Sequence, residues 1–430
     1  MSQLALFGGN PVRTKPFPSW PVFDAAEERA VLEVLRSGKW WRNSQGEDGA
    51  QDHDGEGPSQ TAQFQRAFAQ SHGARYGIAC ANGTAALEVA MKAAGVGPGD
   101  EVLVPPYTFI ATATAPLAIN AIPVFCDIES DTFNLDPERL EQAITPRTKA
   151  VVPVHFGGLP ADMERINEIA ARRGLVVIED AAHAHGAQWN GRFAGTIGTA
   201  GTFSFQISKN MTAGEGGLIL TDDEALAVRC ESLVWGGRER GRPWYEHHRL
   251  GWNYRITEFQ AAILLEQLKR LEEQNARRMA NGIYLNQQLE ALPGIHPMRI
   301  PAWTTRHSFH LYAFRFREEE AGIPRRDFAA ALASEGIPCS TGYAHPLYRN
   351  PVFLNQEFYA GRCPVSCRRE PPIDYAAFRE HCPNTELACR EAIWVEHRVL
   401  LGDRADMDDL VNAVRKVFEH RGEFSATPAR

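Results

Sequence analysis

The stretch Gly201-Thr-Phe-Ser204-Phe-Gln-Ile-Ser-Lys209-Asn-Met-Thr-Ala-Gly-Glu-Gly-Gly217 surrounds a single lysine with small and polar residues. The hydroxyl of Ser204 precedes Lys209 by five positions, and three glycines follow within eight, so the backbone can closely approach a bulky anion. A lysine amine whose pKa is lowered forms Schiff bases with carbonyls, including that of pyridoxal phosphate. A lone lysine among glycines is more often a surface residue, so this interpretation needs partners elsewhere in the chain.

The composition is that of a large globular protein without strong charge segregation. The chain has 430 residues, of which 44% are hydrophobic, and a net charge of -8. This length predicts two domains, or one large and one small lobe. The acidic balance disfavours nucleic acid and anionic membranes as partners, and no apolar run approaches the roughly 20 residues that span a bilayer. Small molecules are therefore the expected ligands.

The cysteines favour a reducing compartment. Eight are spread along the chain, which opens without a basic and apolar signal peptide, so we expect a cytoplasmic protein. The C-terminal cysteines Cys363, Cys367, Cys382 and Cys389 could indicate zinc. Their spacing fits no compact zinc pattern and no histidine pair completes the set, so no metal is predicted.

The N-terminal part of the chain changes character several times. Residues 1–23 are rich in glycine and proline and predict an extended arm, after which Asp24 can cap a helix. Trp40 and Trp41, flanked by cations, could face a ligand pocket or a subunit interface, or pack under a loop. The polar segment 43–59 suggests a mobile surface loop or lid, whose role the sequence does not give.

Short apolar runs then alternate with helical patterns, which predicts an α/β fold. Asn82, Gly83 and Thr84 join such a run to an alanine-rich helix, an arrangement that favours an anion at the start of the helix. An ordinary capped turn explains the same residues. Phe109 ends another run and could lie against a planar ligand, although aromatic residues at strand ends more often belong to the core.

A second run, from Leu175 to Ile178, ends in Glu179 and Asp180, at the edge where open parallel sheets bind their ligands. A buried carboxylate needs a partner, and a pyridinium nitrogen is one, because the carboxylate keeps the ring protonated. The alternatives are that Asp180 caps the next helix and that His183 is a hydrogen-bonded core residue.

These motifs, followed by Gly251-Trp-Asn253-Tyr-Arg255-Ile-Thr-Glu258, occur in the order and style of the sugar aminotransferases. The chain resembles the pyridoxal-phosphate-dependent, fold type I family called DegT/DnrJ/EryC1/StrS. The resemblance implies an α/β large domain with a mostly parallel central sheet flanked by helices, over residues 24–280. A smaller α+β domain would follow over residues 281–430.

The resemblance also implies roles for individual residues. Lys209 would hold pyridoxal 5'-phosphate as a Schiff base and then carry the proton that accompanies transfer. Asp180 would face the ring nitrogen, Phe109 would stack on the ring, and His183 would lie near the 3-hydroxyl. The phosphate would be held by Gly83, Thr84 and Ser204, and by Asn253 of the neighbouring subunit, which implies a homodimer with shared active sites.

The activity implied is a ping-pong transfer from glutamine or glutamate to a ketone. Residues 7–13 and 206–216 resemble the branch acting on keto-cyclitols such as scyllo-inosose, and the aminohydroxybenzoate synthases, which favours a keto-cyclitol or keto-sugar acceptor. Trp41, Tyr343 and His345 are candidate substrate residues. A nucleotide-sugar aminotransferase is the alternative, and a cofactor-binding regulator is a more distant one.

Overall fold

The computed structural model describes residues 3–41, 59–359 and 371–426. The predictions for Arg42, for residues 43–58 and for Cys363 and Cys367 therefore lie outside the described residues. Within the described ranges, no helix combines the length and the apolar character needed to cross a membrane.

The α-helices alternate with strands through the first half of the chain, as the sequence predicts, and dominate its second half. They are α1 (Ala25–Ser37), α2 (Gln60–His72), α3 (Gly83–Ala93), α4 (Ala111–Ala118), α5 (Pro137–Ala143), α6 (Met163–Arg173), α7 (Glu224–Val234), α8 (Glu258–Leu289), α9 (Glu318–Ala321), α10 (Arg325–Ser334), α11 (Pro351–Leu354), α12 (Phe378–His381), α13 (Pro383–Glu391), α14 (Arg404–Glu419) and α15 (Gly422–Ala426).

The strands form three sheets. They are β1 (Tyr76–Cys80), β2 (Glu101–Val104), β3 (Ile122–Phe125), β4 (Thr148–Val151), β5 (Val176–Asp180), β6 (Gln188–Trp189), β7 (Arg192–Phe193), β8 (Ala200–Ser204), β9 (Gly217–Thr221), β10 (Ile295–Pro297), β11 (Thr304–Arg306), β12 (Leu311–Phe316) and β13 (Ala392–Glu396). The central sheet has seven strands in the order β1-β9-β8-β5-β4-β2-β3, and two three-stranded sheets have the orders β10-β12-β13 and β11-β6-β7.

The central sheet places the predicted site residues at one edge. Strands β8, β5, β4, β2 and β3 run parallel, and only β9 and β1 are antiparallel to their neighbours. In the pairing of β5 with β8, Asp180 lies opposite Thr202, two residues before the end of β8 at Ser204. The carboxyl ends of these neighbouring strands therefore open toward the same crevice.

Side chains at the helix starts explain why several helices begin where they do. Asp24 caps α1 in a reciprocal capping box with Glu27, as the sequence predicts for this helix. Asn82 caps α3 by accepting a hydrogen bond from the amide of Ala85 at 2.8 Å. Each cap satisfies an amide that the first turn of a helix leaves without a partner.

A second core forms around the antiparallel sheet β10-β12-β13, which packs with α10 and α14. Leu4 and Phe17 from the N-terminal segment are buried in this core. The predicted boundary between residues 280 and 281 falls inside α8, whose Asn275 donates to the carbonyl of His185 and whose Asn281 donates to that of Leu400. Helix α8 thus contacts both cores through buried amides.

Candidate active site

A cavity of about 1000 Å³ lies between the carboxyl edge of the central sheet and the sheet β10-β12-β13. Two groups of residues line it. The first, which we call the chemical wall, comes from the central sheet and the segments that follow its strands: Gly83, Thr84, Phe109, Thr112, Asp180, His183, Ser204 and Lys209. The second, the outer wall, comes from β13 and the neighbouring loops: Ser340, Tyr343, Trp394, Glu396, His397 and Arg398.

Lys209 lies in a tight turn after β8. Its amide donates to the carbonyl of Gln206 at 2.9 Å, and the amide of Ile207 donates to that of Gly214 at 3.0 Å. Burial of the amine lowers the pKa of Lys209 from 10.5 to about 8, although the nearby charge of Asp180 acts in the opposite direction. A substantial fraction of this amine is therefore neutral near physiological pH, as a nucleophile must be.

Side chains from distant segments hold this turn in place. Trp20 donates its indole N–H to the carbonyl of Ile207 at 2.7 Å. His397 contacts the carbonyl of Ser208 through Nε2 at 3.0 Å, while its Nδ1 lies 3.2 Å from Nη2 of Arg278. Because a guanidinium can only donate, His397 accepts at Nδ1 and donates from Nε2. The arginine thus fixes the tautomer that bonds to the lysine turn.

Arg278 is fully buried, and burial lowers the pKa of this guanidinium to about 9. Its other hydrogen bonds go to the side-chain oxygens of Asn275 and Gln274. The positive charge lowers the pKa of His397 further, beyond the effect of burial, so the histidine stays neutral.

The adjacent acids Glu179 and Asp180 have opposite environments. Glu179 accepts from the amides of Gly195, Ile197 and Gly198 at 2.6 to 2.7 Å and contacts His155 at 2.9 Å. Although burial opposes it, this set of bonds lowers the pKa of Glu179. Its carboxylate is fully engaged inside the protein and plays a structural part.

Asp180 points toward the cavity and has fewer partners. It accepts from the hydroxyl of Thr112 at 2.8 Å and from the amide of Ala182 at 3.2 Å. Burial raises the pKa of Asp180, although the hydrogen bond from Thr112 acts in the opposite direction. The remaining acceptor capacity of this carboxylate can receive an N–H donor from a ligand.

The start of α3 and the end of β8 form a narrow cradle. A Cβ added to Gly83 would lie only 2.7 Å from Cβ of Ser204, so a larger residue does not fit. Asn82 engages the amides of Ala85 and Ala86. Neither bond uses the amides of Gly83 or Thr84, both of which line the cavity. The cradle suits an anion because helix N-termini present unpaired amides and a positive dipole.

Two predicted ring contacts also line the cavity. Phe109 is 59% exposed, as expected of a side chain that a ligand would cover. His183 stacks on His310 with ring centroids 4.2 Å apart, and its Nδ1 accepts from the amide of Gly157 at 3.4 Å. Burial, followed by the charge of Lys209, holds the pKa of His183 well below its usual value. His183 therefore offers a neutral N–H from Nε2.

The structure does not bring every predicted residue to this cavity. Tyr343 lines it, in edge contact with Trp394 at 4.8 Å. His345 is exposed and contacts Asn350, and Trp41 packs against Trp235, with Arg255 at 5.2 Å from the Trp41 ring. Asn253 is also exposed, in a backbone bridge with Trp235. These three lie outside the set of residues that line the cavity of their own chain.

Sequence reasoning missed several cavity residues. The sequence patterns did not single out Thr112, His310, Glu396, His397 or Arg398. A local signal existed for His310, which directly precedes the apolar strand β12. Six cysteines, Cys80, Cys126, Cys230, Cys339, Cys382 and Cys389, are free. Among the described residues, no cluster of His, Cys, Asp and Glu could hold a metal ion.

A model of the DegT/DnrJ/EryC1/StrS aminotransferase family matches residues 25–371. The chain belongs to this family. The predicted assignment is confirmed, as are the enzyme class and the fold class.

Individual relatives cover nearly the whole chain. An L-glutamine:2-deoxy-scyllo-inosose aminotransferase from Streptomyces paromomycinus is 40% identical, over 97% of this chain and 98% of its own length. The crystal structure of 3-amino-5-hydroxybenzoic acid synthase is similar with a TM-score of 0.83 and 34% identity, over 96% of this chain and 100% of that one. NtdA from Bacillus subtilis, solved with the cofactor PMP bound, has a TM-score of 0.73 and 26% identity over 92% and 82% of the chains.

Proposed function

We propose that this aminotransferase uses pyridoxal 5'-phosphate to move the α-amino group of glutamine to the carbonyl of a keto-cyclitol. The observation that carries the proposal is the chemical wall, where a lysine with a pKa of about 8, an acid with spare acceptor capacity and a helix N-terminus share one cavity. The donor and acceptor are those named for the relative from Streptomyces paromomycinus.

The residues present fit pyridoxal phosphate. The cradle at Gly83 and Ser204 has no space for another side chain but offers backbone amides and a hydroxyl to a phosphate. Asp180 can accept the N–H of a protonated pyridine ring, and Phe109 leaves a ring face open to a planar ligand. These groups would hold the cofactor by its two ends, with the Lys209 amine free to reach its carbonyl.

When bound, pyridoxal phosphate supplies an electron sink that stabilises negative charge at the α-carbon of the donor. Lys209 would anchor the cofactor through Nζ, and the same amine would serve as the base when it is free. Because the pKa of this amine is about 8, Nζ can take the proton from the α-carbon of glutamine. In the second half of the cycle, the same Nζ returns a proton to the carbon that carried the carbonyl of the acceptor.

Asp180 and His183 would keep their own protonation states constant during this cycle. Asp180 would accept the ring N–H, and this hydrogen bond would favour the ionised carboxylate and the protonated ring together. His183, held neutral, can donate from Nε2 without adding a second positive charge near Lys209. The wall thereby leaves Lys209 as the group that changes protonation.

The proposed enzyme is a homodimer in the cytoplasm. Asn253 and Trp41 are exposed at the surface of one chain, away from its own cavity. In a dimer, Asn253 would contact the phosphate held by the partner subunit, and Trp41 would lie at or near the interface. Tyr343 would contact the acceptor, and His345 would contact it from its loop.

Heavy-nitrogen transfer tests the proposed function. The purified enzyme, pyridoxal phosphate and 2-deoxy-scyllo-inosose are incubated with glutamine labelled at the α-amino nitrogen. We expect an aminocyclitol carrying the label by mass spectrometry. Glutamine labelled only at the carboxamide is the matched control and should give unlabelled amine. Label from the carboxamide would contradict transamination of the α-amino group, and absence of any amine would contradict the proposed acceptor.

A further inference from the structure

The outer wall carries a pair of opposite charges that take no part in the proton transfers proposed for Lys209. Arg398 donates from Nε to Oε2 of Glu396 at 2.8 Å, and both side chains line the cavity. Their side chains are 30% and 65% exposed, respectively, so a ligand can reach both. Glu396 is the last residue of β13, and Arg398 follows it by two positions.

Arg398 has hydrogen-bonding capacity to spare. A guanidinium has five N–H groups in a planar fork. Glu396 engages Nε, and Nη1 donates to the carbonyl of Pro18 at 3.4 Å. The remaining N–H groups match the two oxygens of a carboxylate, the bidentate geometry for which arginine is suited.

Arg398 is the lining cation that remains for a second ligand. The pKa values of His183, His310 and His397 lie well below their usual range, so these histidines are neutral. Among the described residues that line the cavity, this leaves Arg398 and the partly protonated Lys209 as the cationic side chains. Lys209 serves the cofactor. An amino-acid donor brings an α-carboxylate whose burial needs a partner of opposite charge.

Glu396 can accept a hydrogen bond from a ligand, whereas Arg398 can only donate. An ionised carboxylate accepts hydrogen bonds and cannot donate them, and one of its oxygens is engaged by Arg398. The second oxygen can accept from the carboxamide NH₂ of glutamine. The side-chain carboxylate of glutamate has no proton to offer and would be repelled by the like charge.

We propose that the Arg398–Glu396 pair selects glutamine as the amino donor. Arg398 holds the α-carboxylate, and Glu396 accepts from the carboxamide. This inference rests on the proposed function, because it concerns the donor of the same reaction. A pair without net charge also matches glutamine, which has no net charge, better than glutamate, which carries one negative charge.

The test isolates the first half of the cycle in the intact holoenzyme. Wild type, Glu396→Gln and Arg398→Gln are mixed with glutamine or glutamate without acceptor, and conversion of the bound cofactor is followed by absorbance over a range of donor concentrations. We expect wild type to prefer glutamine. Glu396→Gln should reduce the glutamine-to-glutamate ratio of kcat/KM about tenfold, chiefly by improving glutamate, which corresponds to about 1.4 kcal/mol.

Arg398→Gln should weaken both donors about tenfold to a hundredfold, mainly through KM, since it removes a charge-assisted bond common to both. The rate of the second half-reaction, in which the aminated cofactor reacts with the keto acceptor, should change much less. Glu273→Gln and Arg326→Gln are matched controls, because their side chains are 84% and 91% exposed. Both should behave as wild type.

The outcomes separate this inference from the proposed function. If wild type converts its cofactor with neither donor, the proposed function itself fails. If wild type is active with both donors equally, or if both variants keep the wild-type KM and donor ratio, transamination stands and donor selection by this pair is wrong. An unchanged melting temperature for both variants excludes unfolding as the cause of any loss.

Discussion

The two walls of the cavity are built in different ways. On the chemical wall, Asp180 is 6% exposed and is held by Thr112 and Ala182, and the lysine turn is fixed by hydrogen bonds from Trp20 and His397. On the outer wall, the side chain of Glu396 is 65% exposed and its bonded partner is Arg398. The comparison teaches why the proposed roles differ: the buried wall suits proton transfer, because burial shifts pKa values, and the exposed wall suits recognition, because its side chains remain accessible.

The largest difference is expected when the adjacent acids Glu179 and Asp180 are each replaced by the corresponding amide. Asp180→Asn should fold normally but lose about a hundredfold or more in kcat, because it removes charge aimed at the cofactor ring. Glu179→Gln should instead destabilise the protein by about 3 kcal/mol, since its new NH₂ would face amide donors and the buried contact to His155 would lose its charge.

Steady-state kinetics and thermal unfolding of the two variants, measured side by side, check this pair of predictions. Each variant serves as the control of the other, because both replace a carboxylate by an amide on the same strand. If Asp180→Asn lost stability and retained activity, while Glu179→Gln did the reverse, the assignment of one acid to chemistry and the other to structure would be wrong.

A smaller effect is expected at the anion cradle. Gly83→Ala would place Cβ 2.7 Å from Cβ of Ser204, so the cradle must widen. We expect affinity for pyridoxal phosphate to fall about tenfold, as measured by titration of the apo-protein, corresponding to about 1.4 kcal/mol. Gly97→Ala is the control, since a Cβ there meets nothing within 4 Å. Equal affinities of both variants would argue against a phosphate at Gly83.

The smallest effect concerns pH. The pKa of Lys209 is lowered from 10.5 to about 8, so the unfolded chain binds more protons at this site between those pH values. The free energy of unfolding of the apo-protein therefore rises with pH across that window. Below the window, the folded protein bears the full energetic cost of burying the protonated amine. The rate at which the apo-protein attaches pyridoxal phosphate should likewise rise with pH, with a midpoint near 8.

Asp180→Asn sharpens this prediction, because the charge of Asp180 raises the pKa of Lys209. The midpoint for cofactor attachment should move to lower pH in this variant. Stopped-flow absorbance from pH 6 to 10, at constant ionic strength, would measure both midpoints, a range chosen to bracket the value of about 8. A wild-type rate that shows no midpoint in this range and still rises at its upper end, as the ordinary pKa of 10.5 would give, would show that the amine is not perturbed.

The sequence predicted the elements whose signals are local. The run ending at Asp180, the turn around Lys209 and the helix start at Gly83 each combine hydrophobic pattern with turn residues, and the alternation of elements identified the α/β class. The apolar spacing after Glu258 predicts a helix from Phe259 to Arg278, whereas α8 continues to Leu289. The helix runs through Asn281 and Gly282, residue types that often end helices, because its last turns pack into the second core.

The contacts that tune the site were not predictable, because they join distant segments. Thr112 and Asp180 are 68 residues apart, and His397 and Ser208 are 189 residues apart. No short pattern links such residues in a single sequence. For the same reason, the sequence did not indicate that Glu396, at the end of β13, and Arg398 would line the same cavity as Lys209.

The most direct test of the central claim is the absorbance spectrum of the purified holoenzyme before and after glutamine is added, beside a Lys209→Ala variant. We predict a visible band from the lysine-bound cofactor in the wild type, its loss on addition of glutamine, and no such band in the variant. Lys269→Ala, whose side chain is 67% exposed, is the matched control and should retain the band. A wild type without the band when supplied with pyridoxal phosphate, or a Lys209→Ala variant that keeps it, would contradict the account.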